Sequence, residues 1–148
     1  MPVRTALAAA LLLAATATVP TAAATSPAPV DHLTVTVARS GSARTDGTFE
    51  LYCHPGGGTH RSVRAACEAL DALTKWGKDP FAPPPALAKC TARDGGPASA
   101  RVTGTWAARA VNARFARTNG CEIERWERFE PLLPTAFYRP GAPGSTGR

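Results

Sequence analysis

The sequence has no apolar run long enough to cross a membrane, and aromatic residues make up only 7% of it. A membrane-spanning helix needs about 20 consecutive apolar residues, and the longest apolar stretch, residues 6–15, is much shorter. The basic residues are scattered and are not interleaved with the aromatic side chains on which single-stranded nucleic acids stack. We therefore expect neither a membrane protein nor a nucleic-acid-binding protein.

Patterns typical of enzymes are missing as well. No serine lies in a nucleophile-elbow motif, so His32, His54 and His60 do not form part of a recognisable hydrolytic triad. Together with two of these histidines, Cys53 and Cys67 could form a metal site, but the spacing of the four residues matches no common zinc module. The sequence thus predicts no active site, no metal site and no cofactor.

What the sequence does contain begins with an export signal. Residues 1–24 combine one positive charge at Arg4, the apolar stretch and a tripeptide of three alanines, which is the pattern that a signal peptidase recognises. Cleavage after Ala24 removes Arg4 and lowers the net charge from +6 to +5. The remaining chain is long enough for one domain. We expect a secreted, extracellular protein.

Composition divides the mature chain into three segments. Residues 25–30 form a flexible arm rich in Pro and Ala, and residues 131–148 form a tail rich in Pro and Gly. Residues 31–130 are expected to form the single folded domain.

Within the domain, alternation of apolar and polar residues predicts two antiparallel hairpins. The predicted strands cover residues 33–37, 49–53, 98–106 and 111–115. Between the hairpins, apolar residues at spacings of three and four predict a helix that begins after Thr59 and stops near Gly77. Residues 123–129 fit either a short helix or an edge strand.

The chain has four cysteines, Cys53, Cys67, Cys90 and Cys121, and an even number in a secreted protein predicts disulfides. Four cysteines allow three pairings. Pairing neighbours in sequence would close two loops, and each disulfide would stabilise the folded state by about 3 kcal/mol according to the chain-entropy estimate. The position of Cys67 on the apolar stripe of the predicted helix favours its pairing with Cys53 at the end of a strand.

Several short motifs contain cysteine, glycine and proline residues at the spacing that is typical of one known protein family. They are Leu51-x-Cys53-x-Pro55-x-Gly57-Gly58-Thr59-His60, Ala66-Cys67-x-x-Leu70, Cys90-Thr91, Val102-Thr103 ahead of Trp106, and Asn119-x-Cys121-Glu122. In these motifs the chain resembles the Streptomyces subtilisin inhibitor family of secreted serine protease inhibitors. The resemblance implies a single α+β domain with a five-stranded antiparallel sheet and two helices, a homodimer that pairs through the sheet face, and the disulfides Cys53–Cys67 and Cys90–Cys121.

The resemblance also implies a reactive loop that enters the active site of an extracellular, subtilisin-like serine protease as a substrate would. Carried over to this chain, the reactive bond is Ala92–Arg93, with Ala92 at the specificity position. The other loop residues are Lys89, Cys90, Thr91 and Asp94, and Asn119 supports the loop from behind.

The sequence departs from the family pattern near this bond. The family usually has a proline six residues after the third cysteine, whereas Pro97 follows Cys90 by seven. Counting back from the proline would place Arg93 at the specificity position, which suits a trypsin-like pocket. We prefer Ala92, because the disulfide is the rigid reference and a glycine pair absorbs an insertion easily. Arg117 is a further departure, at a position that is usually aromatic.

A second function stays open at this stage. The chain could be an exported basic binding or envelope protein that keeps the scaffold but has no inhibitory activity, with residues 91–96 as an ordinary surface loop.

Overall fold

The computed structural model describes Ala23 and residues 30–137. The rest of the predicted signal peptide (1–24), the arm up to residue 29 and the tail beyond residue 137 lie outside the described residues. Within the described part, no helix is both long and apolar enough to span a bilayer.

Five antiparallel strands form one sheet, which confirms the predicted architecture. The strands are β1 (Asp31–Ala38), β2 (Gly47–Cys53), β3 (Gly57–Gly58), β4 (Ser99–Trp106) and β5 (Arg109–Phe115). Their order is β3-β2-β1-β4-β5, so the two predicted hairpins, β1–β2 and β4–β5, join through the pairing of β1 with β4. The turn at Ala107 and Ala108, which both have positive φ, connects β4 to β5.

Two helices complete the domain: α1 (Val63–Leu73) and α2 (Gly120–Arg128). The apolar residues of β1, Leu33, Val35 and Val37, are buried and belong to the same core as Leu70 of α1 and Trp126 of α2. Alternate strand residues project from the opposite face, as the period of two requires. The result is the α+β domain that was predicted, in which the described residues leave one face of the sheet open.

The bounds of α1 differ from the prediction. Its N-cap position is Ser62 rather than Thr59, because Thr59 contacts the sheet instead: its hydroxyl accepts a hydrogen bond from the N–H of Glu50 at 2.9 Å. The helix ends at Leu73, four residues before Gly77. The next residue, Thr74, has extended backbone geometry, and its hydroxyl donates to the carbonyl of Leu70 at 2.7 Å.

The start of the C-terminal segment is part of the core. Leu132 and Leu133 are fully buried, although composition places them in the tail that begins at residue 131. The packed core therefore extends at least to Leu133, because two adjacent large apolar side chains outweigh the polar and Pro-rich surroundings. Trp106 and Trp126 are also buried, whereas Trp76 is fully exposed and does not contribute to the core.

Candidate functional site

A short exposed loop, residues 89–94, precedes β4 and is called the bulge below. Lys89 and residues 91–94 are exposed, whereas Gly95 and Gly96 are buried. The chain therefore projects over about four residues and returns abruptly to the body of the protein. Both ends of this bulge are held by the segment that leads from β5 into α2.

The start of the bulge is held by a covalent bond. Cys90 is bonded to Cys121, the second residue of α2, with the two Cα atoms 5.2 Å apart. The other disulfide, Cys53–Cys67, joins the end of β2 to α1, and its Cα atoms are 5.7 Å apart. Both predicted disulfides are confirmed.

Asn119 begins the helix that carries Cys121. Its Oδ1 accepts a hydrogen bond from the N–H of Glu122 at 3.0 Å, which is an N-cap arrangement that satisfies one of the unpaired amides of the first turn. The expected support of the loop by the Asn119 side chain stays a prediction. In this structure Asn119 fixes the position of the next residue, Gly120.

The carbonyl oxygen of Thr91 accepts two backbone hydrogen bonds. One comes from the N–H of Gly120 at 2.9 Å, and the other comes from the N–H of Arg93 at 2.8 Å. The second bond closes a three-residue turn centred on Ala92. The chain therefore turns at Ala92 itself, with Ala92 and Arg93 both exposed at the tip.

Gly120 can reach Thr91 because it has no side chain. A Cβ atom added at Gly120 would lie 2.0 Å from Oγ1 of Thr91 and 3.3 Å from its Cβ. The first of these distances is far shorter than a van der Waals contact. Any other residue at position 120 would displace Thr91 or force its hydroxyl to rotate away.

The end of the bulge is held by Arg117 through two hydrogen bonds. The N–H of Gly95 donates to the carbonyl of Arg117 at 2.7 Å, and the Nε of Arg117 donates to the carbonyl of Gly95 at 3.1 Å. Both polar groups of the Gly95 backbone are therefore bound to a single residue. This role could not be read from the sequence, in which Arg117 is noticeable only as a departure from an aromatic position.

The Arg117 side chain lies in a protein environment along its whole length, and only 11% of its surface is exposed. Its guanidinium lies 5.9 Å from the centre of the Trp126 ring, and Nη2 is 3.5 Å from a carboxylate oxygen of Glu127. Nη1 is buried without a hydrogen-bond partner among the described residues.

Gly95 and Gly96 make the abrupt return of the chain possible. A Cβ atom at Gly95 would lie 2.7 Å from Cγ1 of Ile123 and 2.8 Å from Cβ of Arg117, so no side chain fits there. Gly96 has a φ of +90°, in the region that favours glycine. This glycine pair lies where the sequence places its one-residue insertion.

Arg125 of α2 holds the segment that leads into the bulge. Its guanidinium donates to the carbonyls of Ala82, Phe81 and Arg114 at 3.1, 2.7 and 2.7 Å. It also lies 4.0 Å from the centre of the Phe115 ring. Burial lowers the pKa of Arg125 from its usual value. Residues 80–85, which include four prolines, are thus attached through Arg125 to the same helix that Cys90 is bonded to.

The three histidines have structural contacts. The ring of His32 lies 2.5 Å from a Glu50 oxygen, and His60 contacts the carbonyl of Leu132 at 2.9 Å.

His54 lies between two carboxylates, 2.8 Å from Asp31 and 3.1 Å from Asp71. Hydrogen bonds to these two carboxylates raise the pKa of His54 above its usual 6.5, and the bond to Asp31 contributes more than the bond to Asp71. Cys53 and Cys67 are disulfide-bonded and cannot act as thiolate ligands. Within the described residues, no group of three or more His, Cys, Asp or Glu side chains is arranged so that it could hold a metal ion.

Comparison with known protein families matches residues 27–119 to the subtilisin inhibitor-like family. This match covers most of the domain and includes the whole bulge. The chain belongs to the subtilisin inhibitor-like family. Membership supports a general role as a protease inhibitor and not as an enzyme. A comparison with curated proteins finds no significant match.

The subtilisin inhibitor-like match ends at Asn119, one residue before α2 begins. Most of the residues that hold the bulge or the segment before it therefore follow the matched segment: Gly120, Cys121 and Arg125. Arg117 lies just inside the match.

Proposed function

We propose that this chain is a secreted inhibitor of subtilisin-like serine proteases and that residues 89–94 enter the protease active site in the manner of a substrate. The observation that carries the proposal is that the exposed bulge is attached to the domain on both sides of its tip. Before the tip it is held by the disulfide Cys90–Cys121 and by the hydrogen bond between Thr91 and Gly120. After the tip it is held by the hydrogen bonds between Gly95 and Arg117. Because the bulge is ordered before binding, association loses little conformational entropy.

Ala92–Arg93 is the proposed reactive bond. The ties at Cys90 and Thr91 immediately precede Ala92, so its position is set from that side. The extra residue of the insertion is accommodated later, at the glycine pair. A methyl side chain at the tip suits a pocket that accepts small apolar groups, as in subtilisin or elastase.

Inhibition would follow from incomplete cleavage. Attack of the protease serine hydroxyl on the Ala92 carbonyl carbon forms an acyl-enzyme and releases the amine of Arg93. In a flexible substrate this amine diffuses away and water hydrolyses the ester. Here both new ends remain attached to the domain, so the amine can attack the ester again at high effective concentration and restore the peptide bond.

Titration of subtilisin, elastase and trypsin with the purified mature chain tests the function. We expect stoichiometric inhibition of subtilisin or elastase at micromolar protein. Failure to inhibit any of the three proteases would refute the proposal and favour the alternative, an exported basic binding or envelope protein.

The reactive bond is tested by two substitutions and by mapping the cut. Ala92→Arg should shift inhibition towards trypsin, whereas Arg93→Ala should leave the inhibition of subtilisin or elastase in place. After long incubation with catalytic protease, mass spectrometry should find a new N-terminus at Arg93. A new N-terminus at Asp94, with loss of trypsin inhibition in Arg93→Ala, would instead assign the specificity position to Arg93.

We further propose a homodimer through the open face of the sheet. In the described part of the chain, both helices lie against the other face, and the rings of His32 and Tyr52 are stacked 4.2 Å apart on the open one. Thr103 lies centrally on this face, paired with Thr34 of β1 and Asn112 of β5.

Thr103→Arg should therefore halve the mass measured by light scattering. Ala72→Arg, on the exposed side of α1, should not change this mass. A monomeric wild-type chain would refute the dimer.

A further inference from the structure

We propose that Asn119–Gly120 is a site of spontaneous deamidation and that the bulge controls how fast this reaction proceeds. Asparagine followed by glycine loses its side-chain amide readily, because glycine has no Cβ to hinder attack on the asparagine side chain. The chain contains only two asparagines, Asn112 and Asn119, and no glutamine. Asn112 is followed by Ala113, so Asn119 is the reactive one of the two. The effect on inhibition, which is argued last, rests on the proposed function.

The reaction needs only water as a co-reactant. The backbone nitrogen of Gly120 gives up its proton and bonds to Cγ of Asn119. The bond from Cγ to Nδ2 breaks, and Nδ2 leaves as ammonia with a proton from the solvent. Water then opens the cyclic imide at one of its two carbonyl carbons. Opening at Cγ gives aspartate with a normal backbone, and opening at the main-chain carbon gives isoaspartate, whose backbone is longer by one methylene group.

In the folded protein both reacting groups are engaged. The Gly120 N–H donates to the carbonyl of Thr91 at 2.9 Å, and Gly120 is buried, so a base in the solvent does not reach its proton. The Asn119 side chain accepts from the N–H of Glu122 at 3.0 Å, and its main-chain carbonyl accepts from the N–H of Ile123 at 3.0 Å. Deamidation therefore requires a local opening that releases Gly120.

The bulge controls this opening, because the acceptor of the Gly120 N–H is a carbonyl of the bulge. The disulfide Cys90–Cys121 joins the residue before Thr91 to the residue after Gly120. It therefore limits how far the donor and the acceptor can separate. Loss of this disulfide, or distortion of the bulge, exposes the Gly120 nitrogen.

The two products affect the bulge differently. Aspartate at position 119 keeps a side-chain oxygen that can accept from the N–H of Glu122, and a negative charge is favourable at the start of a helix. Isoaspartate adds a methylene group to the backbone directly before Gly120. Gly120 must then shift, and its 2.9 Å hydrogen bond to Thr91 weakens.

The first test compares the folded wild type with the same chain reduced, alkylated and unfolded in guanidinium, both in mildly alkaline buffer. Mass spectrometry of peptides follows the replacement of the amide by an acid. In the unfolded chain, Asn119 should be modified well before Asn112. In the folded protein, the reaction at Asn119 should be at least about tenfold slower than in the unfolded chain, since a buried contact must open first. Equal rates in the two states, or modification of Asn112 ahead of Asn119, would overturn the proposal.

Hydrogen exchange of the Gly120 amide tests the control by the bulge in the wild type. Exchange and deamidation both require release of the same N–H from Thr91. At increasing guanidinium concentrations below the unfolding transition, both rates should therefore rise by the same factor. Deamidation of Asn119 that accelerates without exchange at Gly120 would refute this control.

Removal of one disulfide at a time tests the same point. Cys90→Ala with Cys121→Ala should deamidate at least about fivefold faster than Cys53→Ala with Cys67→Ala at equal stability, the factor that one backbone hydrogen bond supports. The second pair is the matched control, because its disulfide joins β2 to α1 and not the bulge to α2. Equal rates would contradict the proposal. Melting curves identify a variant that fails to fold, and the exchange measurement on the wild type then decides.

The consequence for inhibition is measured on aged wild-type protein. Chromatography separates the aspartate and isoaspartate forms, and each is titrated against the protease that fresh protein inhibits. The isoaspartate form should inhibit at least about fivefold more weakly, and the aspartate form should match fresh protein. Asn119→Ser, which keeps a capping oxygen but has no amide to lose, should retain its starting inhibition through the same incubation.

Full inhibition by the isoaspartate form would refute the weakening of the contact between Gly120 and Thr91. If fresh wild-type protein inhibits no protease, the proposed function fails. The deamidation and exchange rates need no protease, and they support or overturn the proposed modification site by themselves.

Discussion

The contact between Gly120 and Thr91 makes Gly120→Ala a sharp test of how the bulge is held. The new methyl group would lie 2.0 Å from Oγ1 of Thr91 and 3.3 Å from its Cβ. Thr91 must then rotate or move, and the 2.9 Å hydrogen bond from the amide of residue 120 weakens. Rotation away from the observed side-chain position and partial loss of one backbone hydrogen bond together cost about 1–2 kcal/mol.

This cost should appear in inhibition more than in global stability. Alanine is a better helix former than glycine, by about 1 kcal/mol in a helix interior and by less at the first residue of a helix, where Gly120 lies; this offsets part of the loss for the fold. We therefore expect the inhibition constant to rise by a factor of about 5 to 30, while the urea midpoint changes little. Both values can be measured on the same preparations.

A second substitution distinguishes a steric clash from a general disturbance. Thr91→Ala removes Oγ1, so the pair Thr91→Ala with Gly120→Ala should recover much of the lost inhibition. Thr91→Val places a carbon where the hydroxyl was and should not rescue Gly120→Ala. Equal inhibition by all these variants would refute the argument that the bulge is held through this contact.

Three further predictions concern other contacts. Replacing Cys90 and Cys121 by alanine should lower the free energy of unfolding by about 3–4 kcal/mol and convert the bulge into an ordinary substrate; persistent inhibition by the double variant would contradict its role. Hydrogen bonds to two aspartates raise the pKa of His54, so its stabilising effect is complete below the unfolded pKa and is lost as pH rises through the folded value. The melting temperature should fall as pH rises above about 6.5, and His54→Asn, which tolerates the φ of +58°, should remove that dependence; an unchanged slope would exclude His54 as its source. Arg125→Met leaves three carbonyls without their donor and should cost at least about 3 kcal/mol in urea denaturation, and a loss below 1 kcal/mol would show that water replaces the guanidinium.

The sequence predicted the elements whose pattern is local. Alternation located β1, β2, β4 and β5, and the apolar stripe located α1, because side chains repeat with a period of two in a strand and 3.6 in a helix. The four cysteines limited the disulfides to three pairings, and the family resemblance implied the one observed.

Local pattern could not predict contacts between distant segments. The glycines of β3 (Gly57–Gly58) look like a turn, yet they pair with Leu51 and Tyr52, and a Cβ at Gly58 would lie 2.1 Å from the Glu50 carbonyl. Thr59 carries a cap-forming side chain, but its hydroxyl binds the sheet and α1 begins later.

The order of residues therefore determined four of the five strands, the first helix and the position of an exposed segment after Cys90. Only the tertiary structure decided how that segment is held. Gly120 and Arg117 act on residues more than twenty positions away, and an amide or a guanidinium selects its carbonyl partner by distance and direction in space. Neither quantity has a periodic signature along a chain, so these ties become visible only when the sheet and α2 are packed together.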